Sequence, residues 1–191
     1  AIDVPAMPDR IAVEGIEFVE FTAEAREAEE LGGLFAGMGF SPAARHRNKQ
    51  VTLWRQGGIN LVVNTELEGF AHSSYLVHGV SAYALGLRVD DAAATVARAQ
   101  ALGAETFEQR RGPGELPIPA IRSVGGGIIY FIDGKSELAR VWEVEFEPVA
   151  EAPEKDAGLT RFDHVAQTMD YGDLLTWLLF YTSIFATHKT P

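Results

Sequence analysis

The order of strand and helix patterns repeats once along the chain, and this repeat limits the fold more than any other sequence feature. In the first copy, an almost alternating strand pattern at residues 16–21 precedes apolar residues at helical spacing over 23–38. Strand patterns at 50–55 and 60–64 then flank Gly57-Gly58, which is typical of a hairpin. This order predicts a module of strand, helix, strand and strand.

The second copy follows after a short interval. Its patterns are a strand at 82–89, a helix at 92–102, and strands at 127–132 and 140–146. Each helix pattern ends before a glycine, Gly39 or Gly103, which favours termination of a helix. We therefore predict an α+β protein with two βαβββ modules, over residues 14–70 and 80–147.

The segments outside the repeat differ from it in composition. Residues 1–13 form a Pro-rich lead-in or linker, and residues 148–158 (PVAEAPEKDAG) are typical of a connection between domains. A strand at 160–169 and an apolar helix at 174–185 follow. Because a strand and a helix alone cannot complete a sheet, we predict that residues 159–191 are the truncated start of a second domain.

Charge and composition exclude several functions. The formal net charge of -11 would repel a phosphate backbone, so nucleic acid is not expected as a partner. The absence of cysteine excludes disulfides and thiolate sites and fits a cytoplasmic protein. No apolar run reaches the roughly 20 residues that span a bilayer, so no membrane partner is expected. Self-association is also expected, since the incomplete second domain would expose apolar surface.

Candidate site residues are sparse when only their spacing is considered. His46 lies in the basic stretch RHRNK and is interpreted as part of a solvated turn before a strand, with a contact to an anion or a partner as the alternative. His72 and His78 are six positions apart, which is not a helical metal-binding spacing, and are assigned to a loop or the surface. Gly125-Gly126-Gly127 predicts a turn, because no Lys-Ser/Thr follows it. His164 alone is more often a buried strand histidine than a ligand.

Four stretches resemble the 4-hydroxyphenylpyruvate dioxygenase family. They are GIEFVEF (15–21), MGFSPAARHRNKQVTLWRQGGINLVVN (38–64), IPAIRSVGGGIIYFID (118–133) and GLTRFDHVAQTM (158–169). Their order and spacing match the family over nearly the whole chain. The resemblance implies the vicinal-oxygen-chelate fold, made of paired βαβββ modules, with the start of a second such domain.

The resemblance also implies where a metal would bind. The family binds Fe(II) through two histidines and a glutamate, which leave positions open for a 2-oxo acid and O₂. Another divalent metal is the alternative to Fe(II). The first ligand corresponds to His164, and the other two are expected beyond this chain. Asp163 is either a support for that histidine or a plain strand-edge carboxylate. Phe18 and Ala84 occupy the equivalent strand positions of the first two modules, where neither can ligate. Glu143 is placed on the last strand of the second module, at the position that corresponds to the carboxylate ligand.

Three functions follow as hypotheses. In the first, the intact protein would be an iron dioxygenase of aromatic (tyrosine) catabolism that acts on an aromatic 2-oxo acid. The present fragment alone would be inactive. Alternatively, LLTWLLFYTSIF with the following ATHKTP resembles the dioxygenase-like domain of fusion proteins. In these, an upstream TIM barrel carries 3-dehydroshikimate dehydratase activity, a lyase reaction of quinate and shikimate catabolism. The third hypothesis is a binding or support module without catalysis.

Overall fold

The computed structural model describes residues 7–149 and 156–190. The first six residues of the predicted lead-in and most of the predicted linker lie outside the described residues. The helices are α1 (Ala25–Gly37), α2 (Gly69–His78), α3 (Ala92–Ala101), α4 (Val141–Val144) and α5 (Leu174–Ile184). The strands are β1 (Val13–Thr22), β2 (Ser41–His46), β3 (Val51–Gln56), β4 (Ile59–Asn64), β5 (Ser81–Val89), β6 (Ala120–Arg122), β7 (Ile128–Ile132) and β8 (Phe146–Pro148).

All eight strands belong to one sheet, in the order β6-β7-β5-β1-β4-β3-β2-β8. The elements β1, α1, β2, β3 and β4 form the first βαβββ module, and β5, α3, β6, β7 and β8 form the second. The modules meet where β1 pairs antiparallel with β5. The last strand of the second module, β8, pairs with β2 of the first. The predicted α+β class with paired modules is therefore confirmed.

Local signals account for the elements that were predicted correctly. The two glycines of the β3–β4 hairpin separate Gln56 from Ile59, which are paired across the turn. Helix α3 begins where the Asp91 carboxylate accepts a hydrogen bond from the Ala94 amide at 2.8 Å. Gly39 and Gly103 follow α1 and α3 with φ of 90° and 85°, a conformation that glycine adopts without a steric cost.

The strand predicted over residues 140–146 is wrong. A 3-10 helix at Glu137–Arg140 leads into α4, and only Phe146–Pro148 is extended. The buried side chains Leu138 and Val141 are three residues apart, which is a helical spacing. The hydroxyl of Ser136 caps the 3-10 helix by accepting from the Leu138 amide. Local capping and spacing thus decide the structure of this segment.

The strand predicted over residues 160–169 is also wrong, since no strand is found there. An extended segment becomes a strand only by pairing with a neighbour, and this one has a single backbone bond to the sheet, from the Gly58 amide to the Thr160 carbonyl. Three elements lacked a clear sequence pattern and were not predicted: β2, β6 and α2. Strands β2 and β6 lie at the edges of their modules, and the pairing of β2 with β3 has a register shift.

The two faces of the sheet have different roles. The face that carries Phe18, Glu20, Val62, Asn64 and Tyr130, here called the inner face, lines a cavity. The opposite face is covered by helices. Helix α1 packs there through an aromatic cluster. The buried ring of Phe35 is at its centre and contacts the rings of Phe21, Phe40 and Trp54.

Helix α5 is joined at its C-terminal end to a second hydrophobic cluster, which includes Phe131. Ile184 and Phe185 are buried, and the ring of Phe185 lies 6.0 Å from that of Phe131 on β7. Arg98 of α3 fixes this end by donating two hydrogen bonds to the Ser183 carbonyl, at 2.8 and 2.6 Å, and one to the Pro8 carbonyl. A cation at the carbonyl end of a helix is stabilising. Arg98 therefore ties α3, α5 and the N-terminal segment together.

Candidate functional site

His164 lies on the irregular segment before α5, and its side chain is 77% exposed. Its Nδ1 is 2.8 Å from Oδ2 of Asp163, which leaves Nε2 directed away from that contact. The hydrogen bond with His164 lowers the pKa of the Asp163 carboxyl. A carboxylate on one ring nitrogen is the usual support for a histidine that binds metal through the other. The geometry suits one ligand of a metal site.

The described residues do not supply a complete metal site. No group of three or more histidine, aspartate and glutamate side chains within 7–149 and 156–190 could hold an ion. His164 and Asp163 provide at most one ligand and its support, whereas a facial triad needs three protein ligands. Phe18 and Ala84, the residues assigned to the equivalent strand positions, lie on β1 and β5 and have no ligating atoms. No chemical step is therefore assigned to iron in this chain.

A buried polar network, formed by His46, Lys49, Glu115 and Glu145, connects the two ends of the sheet. Nε2 of His46 lies 3.3 Å from Glu145 and 3.9 Å from Glu115, and Lys49 donates to Glu115 at 2.7 Å. Glu145 also accepts a hydrogen bond from the Leu116 amide. Burial opposes ionisation of Glu115, but hydrogen bonds from Lys49 and from the backbone lower its pKa overall. The network holds the loop before β6 against β2 and β8.

Two sequence interpretations are corrected by this network. His46 is not in a solvated turn: it ends β2 and its side chain is only 5% exposed. Glu143 does not lie on a strand beside the cavity, because it belongs to α4 and pairs on the surface with Arg140 at 3.2 Å. The buried acid of this region is Glu145, two residues further on. Its partner His46 is 99 positions away in the chain, so no local pattern could have indicated the pair.

Glu20 is a second buried acid, on the inner face of β1. Its Oε1 accepts a hydrogen bond from Nδ2 of Asn64 at 3.0 Å, and Asn64 also contacts the Tyr83 hydroxyl at 3.2 Å. Burial raises the pKa of the Glu20 carboxyl, although the hydrogen bonds with Tyr83 and Asn64 act in the opposite direction. Burial likewise raises the pKa of Tyr83. Sequence analysis missed Glu20 because it was counted only as a polar residue of an alternating strand.

Glu20 and the network line adjoining spaces. A small cavity of about 60 Å³ lies between Glu20, His46, Tyr130 and Glu145. A cleft of about 690 Å³ opens next to it, bounded by Tyr130, Glu145 and the loop before β6. Most of the charged side chains that face these spaces are paired within the chain. The pairs of His46 and Lys49 with Glu115 and Glu145 connect the first module to the second.

Replacing Glu20 with glutamine is expected to stabilise the fold increasingly as pH rises. At pH values between the ordinary glutamate pKa of 4.5 and the raised pKa of Glu20 in the folded state, the folded state binds more protons than the unfolded state. The stability of the wild type therefore falls as pH rises through this range. Glutamine removes this dependence and can still accept from Asn64. Urea unfolding from pH 4.5 to 8 measures the effect, with Glu30→Gln on the surface as control, for which about 0.5 kcal/mol or less is expected. Equal destabilisation by E20Q at every pH would contradict the assignment.

The other residues considered from the sequence fall at the surface or in the core. His72 and His78 both lie on helix α2 and not in a loop. His78 is exposed, so the surface alternative is correct for that residue. Gly125-Gly126-Gly127 forms the predicted turn before β7, closed by a bond from the Gly126 amide to the Ser123 carbonyl at 3.0 Å.

Paired βαβββ modules that share one sheet define the vicinal-oxygen-chelate fold class. Within this class, the chain belongs to the hydroxyphenylpyruvate dioxygenase family, since residues 8–147 match the family model "Hydroxyphenylpyruvate dioxygenase, HPPD, N-terminal". The chain thus contains the N-terminal domain of this family.

Two relatives from Pseudomonas aeruginosa show how far the similarity extends. A 3-dehydroshikimate dehydratase is 38% identical over 180 residues, which cover 94% of this chain and 28% of that protein. A 4-hydroxyphenylpyruvate dioxygenase is 37% identical over 177 residues, covering 91% of this chain and 49% of that protein. The chain therefore spans about half the length of the dioxygenase and less than a third of the dehydratase.

Solved structures support the same fold. A fusion of a xylose isomerase-like TIM barrel with 4-hydroxyphenylpyruvate dioxygenase superposes with a TM-score of 0.85 at 34% identity, covering 97% of this chain and 29% of the fusion. A 4-hydroxymandelate synthase mutant from Streptomyces coelicolor gives 0.72 at 21% identity, covering 94% of this chain and 55% of the other; this shows the fold alone. None of the helices in the described parts of the chain is long and apolar enough to cross a membrane.

Proposed function

We propose that this chain is the N-terminal part of a non-haem Fe(II) oxygenase that acts on an aromatic 2-oxo acid. The similarity to the Pseudomonas aeruginosa dioxygenase carries the proposal, because it extends past the N-terminal family domain. An alignment that covers 91% of 191 residues must include position 164. The segment that bears Asp163 and His164 therefore falls within the region shared with that enzyme.

In the intact protein, His164 would provide one iron ligand and Asp163 would hold its ring in place. Residues outside this chain would provide the other two ligands. Residues 14–147 would then be a metal-free support domain, and residues 159–191 would begin the metal-binding domain. Iron would supply the redox chemistry and the protein a shaped, dry cavity. The fragment by itself would be inactive, since a single histidine does not form a facial triad.

The expected partners follow from the same assignment. The substrate would be a small 2-oxo acid with an aromatic ring, and Fe(II), or another divalent metal, would be the cofactor. The absence of cysteine suits the cytoplasm. Exposed apolar side chains on α5, Leu175 and Leu179, favour association with another copy or with the rest of the protein.

The intact protein loaded with Fe(II) is expected to consume oxygen when 4-hydroxyphenylpyruvate is added. Uptake measured with an oxygen electrode should depend on both components and should stop in the presence of an iron chelator. A preparation loaded with Zn²⁺, which has no redox chemistry, serves as the control. No uptake above that control, with iron content verified, would contradict the oxygenase assignment.

A second candidate function is supported by the similarity to the dehydratase. The 38% identity and the TM-score of 0.85 to the TIM barrel fusion favour a protein in which catalysis resides in a barrel outside this chain. The present domain would then support or regulate that barrel, or act only as a binding module. Dehydration of 3-dehydroshikimate by the intact protein, with no oxygen uptake, would favour this second function over the first.

A further inference from the structure

The segment at residues 157–160 is seated against the β3–β4 turn by a buried glutamine. Oε1 of Gln56 accepts hydrogen bonds from the Ala157 amide at 2.7 Å and the Leu159 amide at 3.2 Å. Its Nε2 donates to the Met38 carbonyl at 2.9 Å, which fixes the orientation of the side chain amide. Gln56 is 4% exposed. One side chain thus links the end of α1, the end of β3 and the segment that follows the undescribed residues 150–155.

The turn has room for this segment only because two of its residues are glycines. A Cβ on Gly57 would lie 2.5 Å from the Leu159 carbonyl oxygen, and a Cβ on Gly58 would lie 2.9 Å from the Thr160 carbonyl oxygen. The Gly58 amide donates to that same Thr160 oxygen at 2.8 Å. The backbones of the two segments are therefore in direct contact, which no other residue type would permit without displacement.

Phe162 extends the contact toward His164. Its partly buried side chain packs against the apolar cluster between α1 and the sheet, which includes Phe35 and Phe40. Residues 161–170 otherwise contain no helix or strand until the short helix before α5. His164 is two residues past Phe162, within this irregular stretch.

We propose that Gln56, Gly57 and Gly58 form an anchor that fixes residues 157–162 on the first module and so sets where the Asp163–His164 segment begins. Gln56 acts in this assignment only through the segment that it holds, by its hydrogen bonds to Ala157 and Leu159. The role of the anchor in placing His164 rests on the proposed function. The docking itself is argued from the contacts of Gln56, Gly57, Gly58 and Phe162 and does not depend on a metal.

Gly58→Ala tests the anchor with little other disturbance. The backbone of Gly58 does not have a positive φ, so alanine is sterically allowed there except for its contact with Thr160. Gln56→Leu is a second variant that removes both hydrogen bonds to residues 157 and 159. Gly134→Ala is the matched control, because it also lies in a turn without positive φ and a Cβ there would meet nothing within 4 Å.

Amide hydrogen exchange by NMR on the 191-residue chain gives the readout. In G58A and Q56L the amides of Ala157 and Leu159 should exchange roughly tenfold faster, since their protection depends on the anchor. Exchange of β7 amides should be unchanged in both variants, and G134A should match the wild type throughout. Unchanged exchange at both amides in G58A and Q56L, or equal acceleration in β7, would overturn the anchor. The test needs neither metal nor substrate, so its failure is distinct from an absence of oxygen uptake.

Discussion

Phe185→Ala is expected to lower the free energy of unfolding by about 3–5 kcal/mol. The side chain is 1% exposed and packs against Phe131, itself completely buried. Ile11 and Phe185 also form a β-bridge, so the residue connects α5, β7 and the N-terminal segment. Removing the ring would leave a cavity where these three parts meet. Urea unfolding followed by circular dichroism measures the change.

Leu175→Ala is the matched control for this prediction. It removes a large apolar side chain from the same helix, but Leu175 is 76% exposed. A change within about 0.5 kcal/mol is expected for such a surface position. If F185A cost no more than L175A, the C-terminal end of α5 would not belong to the core of the sheet.

The parts of the fold that could be predicted are those with local signals. The strand pattern of β1, the glycines that follow α1 and α3, and the Gly57-Gly58 turn each act over a few residues, and each of these elements appears in the structure where expected. The repeat of these signals indicated two similar modules, although β2 and β6, which complete the three later strands of each module, were not predicted. Such patterns decide secondary structure because burial of one face of a strand or helix is the main source of its stability.

The parts that could not be predicted depend on contacts between distant residues. His46 is buried beside Glu145, which reaches it when β8 pairs with β2, and near Glu115 of the loop before β6. The segment at 160–169 has strand-like composition but lacks a pairing partner, and so it remains irregular. Likewise, nothing near Gln56 in the sequence indicates that it binds residues 157 and 159.

The candidate metal ligand illustrates the same limit. His164 was selected by family resemblance, since a single histidine has no periodic pattern. The structure adds its contact with Asp163 and its exposed position. Its role as an iron ligand stays a prediction, because the described residues offer no second or third ligand.

In the intact protein, His164→Ala is expected to weaken Fe(II) binding by more than about 100-fold. Loss of a supporting residue around a metal typically costs 10- to 100-fold, and loss of a ligand should cost more. His78→Ala is the control, since His78 is an exposed histidine on α2 outside the proposed site. Both variants should unfold at the same urea concentration as the wild type.

Anaerobic calorimetry of Fe(II) binding to the intact wild-type protein, H164A and H78A tests the central assignment most directly. The proposal predicts one tight site in the wild type and in H78A and its loss in H164A. Equal Fe(II) affinity in all three proteins would show that His164 is not a ligand. It would contradict the proposal that this chain contributes His164 to the iron site of an oxygenase.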